Sequence, residues 1–377
     1  MLRDRQPIDP EDVIPRRPAS RRRHPRPERL RDRRAVRCDD RGDRGGNPQR
    51  ARGRGDDDRP RRDHRLRPAA RPAAGDDDPV RAAGTDGRLT TAGGPSVEIR
   101  VPTDDDLPAI REILTAHGND GAIVTADVVG PYLRHLIARG GARVAVDDGR
   151  VVAFGATIDT GNAVHLADLF VRPELVGRGI GRPLPDAVFG DAERRTTFAS
   201  DDPRAMPIYV RAGLRPLWAS LYVEGPSERI AGLPQSLSCE PATPDELAAV
   251  ERRWTGADRL ADYAFWAGSP EGDLFTVREG GAVVALGTAR VRQASPVRVL
   301  DRLVVDPDPA VEPLPVMLAA IVRAGRGGVV LVTVQGPNPL LGALLDLGFR
   351  IADRDQFMAS GPDLIDPARL IPNPGML

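Results

Sequence analysis

At 377 residues the chain has room for two domains and a tail, or one large domain and a tail. The 54 basic residues, all Arg, balance 54 acids, but residues 1–95 hold 26 Arg against 17 acids and the remainder 28 against 37, so a neutral total says nothing about partners. Cys38 and Cys239 lie in separate segments and build neither a disulfide framework nor a thiolate metal site. No apolar run approaches the ~18 residues of a membrane span, so a cytoplasmic protein with no membrane partner is expected.

Residues 1–95 contain no Phe, Trp or Tyr and are an Arg/Asp/Pro/Gly mixture, as in Arg21-Arg22-Arg23 and Asp56-Asp57-Asp58. Such a segment buries too little apolar surface to offset chain entropy and is expected to be a disordered tail. Interspersed acids and the lack of a stacking ring disfavour nucleic acid as its partner. The plainer reading is that the segment is not natural protein, its composition being what an unselected frame of GC-rich DNA would yield.

At Val97 the pattern changes. Val97–Val101 alternates as a strand, and Thr103 with Asp106 reads as a capping box opening a helix over Leu107–Ala116. A second helix is expected over Ala126–Ala138, a hairpin of Ala142–Asp147 and Val151–Ile158 about Asp148-Gly149, and a strand over Val164–Val171. A glycine-rich loop then leads into a helix reaching about Arg194. A short strand Thr196–Ala199, a helix Pro203–Ala212 and a strand Leu214–Val223 complete the segment. After a linker near Gly225–Ser236 the order begins again. Thr243-Pro244-Asp245-Glu246 caps a helix, and Leu274–Arg278 with Val283–Val291 forms a hairpin. Val297–Val305, Leu314–Ala324, Val329–Val334, Leu340–Leu347 and Phe349–Met358 then follow as strand, helix, strand, helix and strand.

The halves also match in letters. Leu166-Ala167-Asp168-Leu169-Phe170-Val171-Arg172-Pro173 aligns with Leu300-Asp301-Arg302-Leu303-Val304-Val305-Asp306-Pro307 at an offset of 134, and Gly213-Leu214-Arg215 with Gly348-Phe349-Arg350 at 135. A whole domain is duplicated. The divisions expected are a tail over 1–95, a first copy over 96–225, a second over 237–361 and an extension over 362–377. The fold class is α/β (α+β), with a mixed, curved sheet flanked by helices in each copy.

The chemistry is concentrated in Val171–Arg182, where an apolar strand runs into Gly177, Gly179 and Gly181 and then a helix. Glycines let backbone N–H groups converge, and a helix N-terminus adds a positive dipole end, together suited to a pyrophosphate with Arg178 and Arg182 as cationic partners. A dinucleotide fingerprint needs glycines two and three apart, and a phosphate loop needs a Lys; both fail here.

This segment resembles the acyl-CoA loop of the GNAT superfamily of N-acetyltransferases, pattern [QR]-x-x-G-x-[GA], with Gly179 and Gly181 in its glycine positions and Val176 departing from its Gln/Arg. Ser200–Leu214 resembles the superfamily's second signature, in which Tyr209 takes the place of the Tyr that protonates the departing thiolate. A packing role is the plainer alternative for a Tyr on a short helix. The resemblance implies acetyl-CoA as co-substrate, bound by Leu169, Phe170, Val171, Gly177, Arg178, Gly179, Ile180, Gly181 and Arg182, and direct transfer to the amine of a small-molecule acceptor. Asp168 is the candidate base against a structural carboxylate, Ala167 standing where some relatives carry Glu. His165 is the lesser candidate, expected on the opposite face from Asp168. Asp120 and Asp127 offer attraction to a cationic amine, against the plainer reading of solvated surface. No metal is expected, since His, Cys and acids do not cluster at ligand spacings. In the second copy Gly177, Gly179 and Gly181 become Val311, Pro313 and Pro315, Arg178 becomes Glu312, and Tyr209 becomes Leu344. Proline lacks the N–H and Glu repels a phosphate, so that copy is expected to have lost the site. The rival to an enzyme is a non-catalytic acyl-CoA-binding or regulatory protein with the same fold.

Overall fold

The computed structural model describes residues 87–89, 97–117, 126–200, 203–292 and 295–377. Strand β1 (Gly87–Leu89) pairs antiparallel with β2 (Val97–Arg100), so this part of the expected tail is a strand; the rest of 1–95 lies outside the described residues. A 3-10 turn over Asp104–Asp106 leads into α1 (Leu107–Ala116), and the Asp106 carboxylate accepts the Thr103 N–H at 2.7 Å, as the capping box requires. The first half continues with α2 (Ala126–Ala138), β3 (Ala142–Asp147), β4 (Arg150–Asp159) and β5 (Val164–Val171). It ends with α3 (Leu184–Phe189), β6 (Arg195–Ala199), α4 (Met206–Arg211) and β7 (Arg215–Pro226).

The second half repeats the order: β8 (Leu237–Pro241), α5 (Pro244–Thr255), α6 (Leu260–Ala267), β9 (Asp273–Glu279), β10 (Ala282–Val291) and β11 (Arg298–Val305). Then come α7 (Pro313–Gly325), β12 (Val329–Gln335), α8 (Leu340–Asp346), β13 (Arg350–Ala359) and β14 (Leu370–Ile371). Strand β8 and helix α6, which the sequence pattern did not suggest, complete the match to β2 and α2. Helix α3 is shorter than expected: it ends at Phe189, where Gly190 turns to a φ of 52°, and does not reach Arg194.

The strands form one sheet in the order β1-β2-β3-β4-β5-β6-β13-β7-β12-β11-β10-β9-β8, with β14 added at β11. Pairing is antiparallel except β5–β6 and β11–β12. The order is symmetric about the β13–β7 pair, with the two final strands exchanged: β13 lies between β6 and β7, and β7 between β12 and β13. Neither 96–225 nor 237–361 therefore has a complete sheet from its own residues. The exchange buries Phe357 and Met358 on one side and Val223 on the other, each such side chain contributing roughly 1.5–3 kcal/mol. On one face α1, α2, α5 and α6 share a core that includes Ile110, Leu133, Leu247 and Trp266. Residues 362–377 are not a loose extension: Ile371, Met376 and Leu377 are buried.

Candidate active site

The site is built around an irregularity in β5. Its register with β4 shifts between Ala156↔Asp168 and Thr157↔Leu166, leaving Ala167 as an extra residue. A bulge of this kind resets the strand's alternation. Before it Val164 donates to Arg194 O on the β6 side at 2.8 Å; after it Arg172 donates to Val152 O on the β4 side at 2.9 Å. Asp168 and Phe170 consequently turn their amides to β4, and Leu169 and Val171 turn theirs away. Strand β6 pairs with β5 only along Val164–Leu166, so beyond Ala167 the Leu169 and Val171 amides are turned away from β4 to a side on which no described strand pairs with them. The ring of His117, at the end of α1, lies 5.5 Å from that of Phe170, and its Nε2–H donates to Val171 O at 2.6 Å, holding the outer end of the cleft edge.

The same bulge corrects the placement of His165. Phe170 packs with the α1–α2 core and Leu166 and Leu169 with the α3–α4 core, so His165 and Asp168 share the α1–α2 face. His165 is held at both nitrogens. A carbonyl can only accept, so Nε2–H donates to Pro374 O at 2.9 Å, and Nδ1 accepts from the Thr196 hydroxyl at 3.0 Å. Burial pushes its pKa down to about 4, against the contact with Pro374 O, and leaves the ring neutral. With both nitrogens engaged it is a poor base.

Asp168 is differently placed. It accepts a hydrogen bond from the Tyr132 hydroxyl of α2, while its Oδ2 is shut from solvent and has no partner. Burial raises its pKa to about 6, with the Tyr132 hydrogen bond working the other way. A carboxylate that titrates near 6 is mostly ionised at neutral pH and is a competent proton acceptor there. Tyr209, on α4, is buried on the opposite face among Leu166, Val188, Phe189 and Met358.

The glycine loop follows β5 directly. Gly177 and Gly179 have φ of 88° and 85°, the left-handed region where a side chain is strained. Gly181 lies against the end of β5, where an added Cβ would come within 2.9 Å of Val171 Cγ2. Ile180 is buried against Val97, Ile99 and Val152 and anchors the loop, so it has only its backbone to offer a ligand. The amides of Arg178 and Arg182 are turned inward, to Leu175 O and Gly179 O, and both guanidinium groups are exposed. Because α3 begins only at Leu184 and has six residues, the loop amides rather than a long helix dipole face this end of the cleft. Asp120 lies outside the described residues, as does the Asp127 side chain.

In the second half the same places are filled. Strand β14 pairs with β11, Leu303↔Ile371 and Val304↔Leu370, lying in the gap between β11 and β12, and Val305 N donates to Arg369 O at 2.9 Å. By the offset of 134, Leu303 and Val305 are the counterparts of Leu169 and Val171. The Arg369 guanidinium also donates to Asp306 O at 2.5 Å and Val311 O at 3.1 Å, closing the loop. Pro313 opens α7, and Leu344 is core. Where Asp168 meets Tyr132, its counterpart Arg302 meets Tyr263 at 3.2 Å, pairs with Glu251 at 2.6 Å and donates to Leu377 O at 2.6 Å. Among the described residues, no three His, Cys, Asp or Glu side chains are grouped to hold a metal, and no helix is long and apolar enough to cross a membrane.

A bulged strand with outward amides, a parallel neighbour that splays from it and a glycine loop at its end define the GNAT type of acyltransferase fold. Residues 132–226 match the acetyltransferase (GNAT) domain family, and the chain carries the GNAT fold in a tandem, two-copy form. A Pyrococcus horikoshii protein described as an acetyltransferase is similar in fold, with a TM-score of 0.56 at 16% identity over 77% of this chain and 97% of that one. A GCN5-related N-acetyltransferase of Anabaena variabilis gives a TM-score of 0.51 at 14% identity, over 70% and 72%. A tandem GNAT protein of the clavulanic acid biosynthesis pathway gives 0.49 at 17%, over 71% and 99%. No curated protein matches in sequence.

Of the residues expected from sequence, Asp168, Leu169 and Val171 lie on the part of β5 beyond the bulge and the glycines on the loop that follows it, while the Phe170 amide is turned to β4 and the Ile180 side chain is buried. Tyr132, His117 and the Pro374–Gly375 segment had no signal in the sequence beyond Tyr132 being the one Tyr of its helix.

Proposed function

We propose that the first half is an acetyl-CoA-dependent N-acetyltransferase that acts by direct transfer to an amine of a small-molecule acceptor. The observation that carries this reading is the open edge of β5 beside the glycine loop, whose counterpart at β11 is satisfied by the chain itself. Acetyl-CoA would lay its pyrophosphate on the loop amides of Gly177 and Gly179–Gly181, helped by the Arg178 and Arg182 guanidinium groups, and its pantetheine along Leu169–Val171. The arrangement at β14 supports the second part: an extended backbone already sits at the equivalent edge.

The acceptor nitrogen uses its lone pair to form a bond to the thioester carbonyl carbon, and its proton passes to Asp168. Negative charge gathers on the carbonyl oxygen, where the Leu169 and Val171 amides are the available donors. The C–S bond then breaks, the thiolate takes a proton from Tyr209, and an amide and free CoA leave. Tyr209 and Asp168 lie on opposite faces of β5, as acid and base should about a thioester lying in the gap.

Release of free thiol from acetyl-CoA against a panel of primary amines tests the reading, beside calorimetric titration with acetyl-CoA. Acetyl-CoA binding with no turnover on any amine would favour the non-catalytic acyl-CoA-binding alternative. Absence of binding would overturn both.

A further inference from the structure

We propose that His117 is a positioning residue for the thioester arm of acetyl-CoA: its ring, bonded to Val171 O, fixes the backbone on the unpaired side of β5 so that the Val171 amide is presented to the arm. The inference rests on the first half binding acetyl-CoA. In an extended strand the N–H and C=O of one residue point the same way, so Val171 turns both away from β4. No described strand pairs with it there. His117 comes from the end of α1. Because a carbonyl can only accept, it is Nε2–H that donates to Val171 O, at 2.6 Å. The ring also rests on Phe170, centroids 5.5 Å apart. From the same helix Glu112 pairs with Arg172 at 3.2 Å, and Arg172 Nε–H donates to Val151 O at 2.8 Å. Helix α1 thus grips both residues of the junction where β5 hands over to the segment that carries the glycine loop.

The second half shows which groups of such an edge an extended chain uses. At β11, Val305 N donates to Arg369 O at 2.9 Å and Leu303 pairs with Ile371. The Arg369 amide is turned to Asp366 O, at 3.2 Å, instead of to Val305 O. An arm laid on β5 in the same way would use Leu169 and the Val171 amide and leave Val171 O to His117. The ring therefore supports the edge without competing for it. Helices α1 and α5 are equivalent, each following a Thr capping box. Helix α5 ends on Gly256 at a φ of 79°, an ordinary left-handed cap, whereas α1 ends on His117 at −88°. The imidazole stands in the half whose edge is open, and glycine takes its place in the half whose edge is filled.

His117→Leu keeps much of the ring's bulk and deletes the donor, while His117→Gln puts an amide N–H where Nε2–H was. In calorimetric titration of the full chain the Leu variant should bind acetyl-CoA about three- to tenfold more weakly, the net contribution of one hydrogen bond, and the Gln variant within about twofold of the parent. ADP, which offers the loop a diphosphate and lacks the arm, should compete equally well in the parent and both variants. A folding defect or a disturbed glycine loop would weaken the two ligands together, and that result would overturn the proposal. So would a Gln variant as weak as the Leu variant, which would trace the effect to the ring and not to the donated bond. Unchanged acetyl-CoA binding in the Leu variant would also overturn it, as would tighter binding, which would make the ring an occupant of the edge. Failure of the parent itself to bind acetyl-CoA would fell the reading of the first half, and this role with it, before any variant is compared.

Discussion

Val171 and Val305 end equivalent strands, yet the Val305 amide is bonded to Arg369 O at 2.9 Å while that of Val171 is turned to a side on which no described strand pairs with it. One half of the chain therefore has a vacant backbone edge and the other has closed its own. Calorimetric titration is expected to give one acetyl-CoA site per chain. Gly179→Pro, which removes an amide and fixes φ where the loop needs 85°, should weaken that site at least tenfold, about 1.4 kcal/mol. Two sites of similar affinity in the parental protein would contradict this account of the second half.

Tyr209 is buried in the α3–α4 core, so its function must be separated from its packing. Tyr209→Phe does so, because the ring stays. A thiol has a pKa near about 8.5, so thiolate expulsion is not intrinsically hard, and kcat should fall about 10–100-fold, at the low end for a general acid. Acetyl-CoA affinity should hold, since a contact made in the transition state does not appear in ground-state binding. Parental turnover under conditions where chemistry limits the rate would make Tyr209 a packing residue.

Local pattern carried most of the elements: the capping boxes at Thr103 and Thr243 and the alternation of Ala142–Asp147 and Val164–Val171 act within a few residues, where sequence is informative. The loop glycines were legible for the same reason. The exchange of β7 and β13 was not, because each strand reads alike whether it pairs within its own copy or across. The bulge at Ala167 was missed too, and with it the face of His165, since period-2 alternation assumes no inserted residue. Tyr132 and Gly375 meet across 243 positions, and nothing in either neighbourhood signals the other.

The exchange has a consequence for folding. Residues 96–230 expressed alone would leave β6 and β7 without the strand between them, exposing unpaired edges of the kind that aggregate. Residues 231–377 alone would lack β7 between β12 and β13. Each fragment is expected to be insoluble or unfolded by circular dichroism, and co-expression of the two should recover a folded 1:1 complex. A monomeric, cooperatively melting single fragment would show that each copy closes its sheet without the other.

Asp168 makes opposite predictions for stability and activity. Its carboxyl holds its proton to about pH 6 in the folded protein, chiefly through burial, against an ordinary value of 3.8. Between those values the folded state binds more protons than the unfolded chain, so stability falls as pH rises through this window, and the loss is complete above about 6. Asn has the same shape, still accepts from Tyr132 and carries no charge to bury. Asp168→Asn should therefore match the parent in Tm near pH 3.5 and exceed it at pH 8, by about 1–3 kcal/mol or a few degrees. The same variant loses its proton acceptor, and kcat/KM should drop about 10²–10⁴-fold with acetyl-CoA binding intact. In the parent, kcat/KM should decline below about pH 6 as the carboxylate is protonated. Thermal melts at the two pH values and amine turnover across pH 5–9 check all three effects. A Tm difference independent of pH would mean that Asp168 is not buried as a charge, and undiminished turnover in the Asn variant would move the base elsewhere.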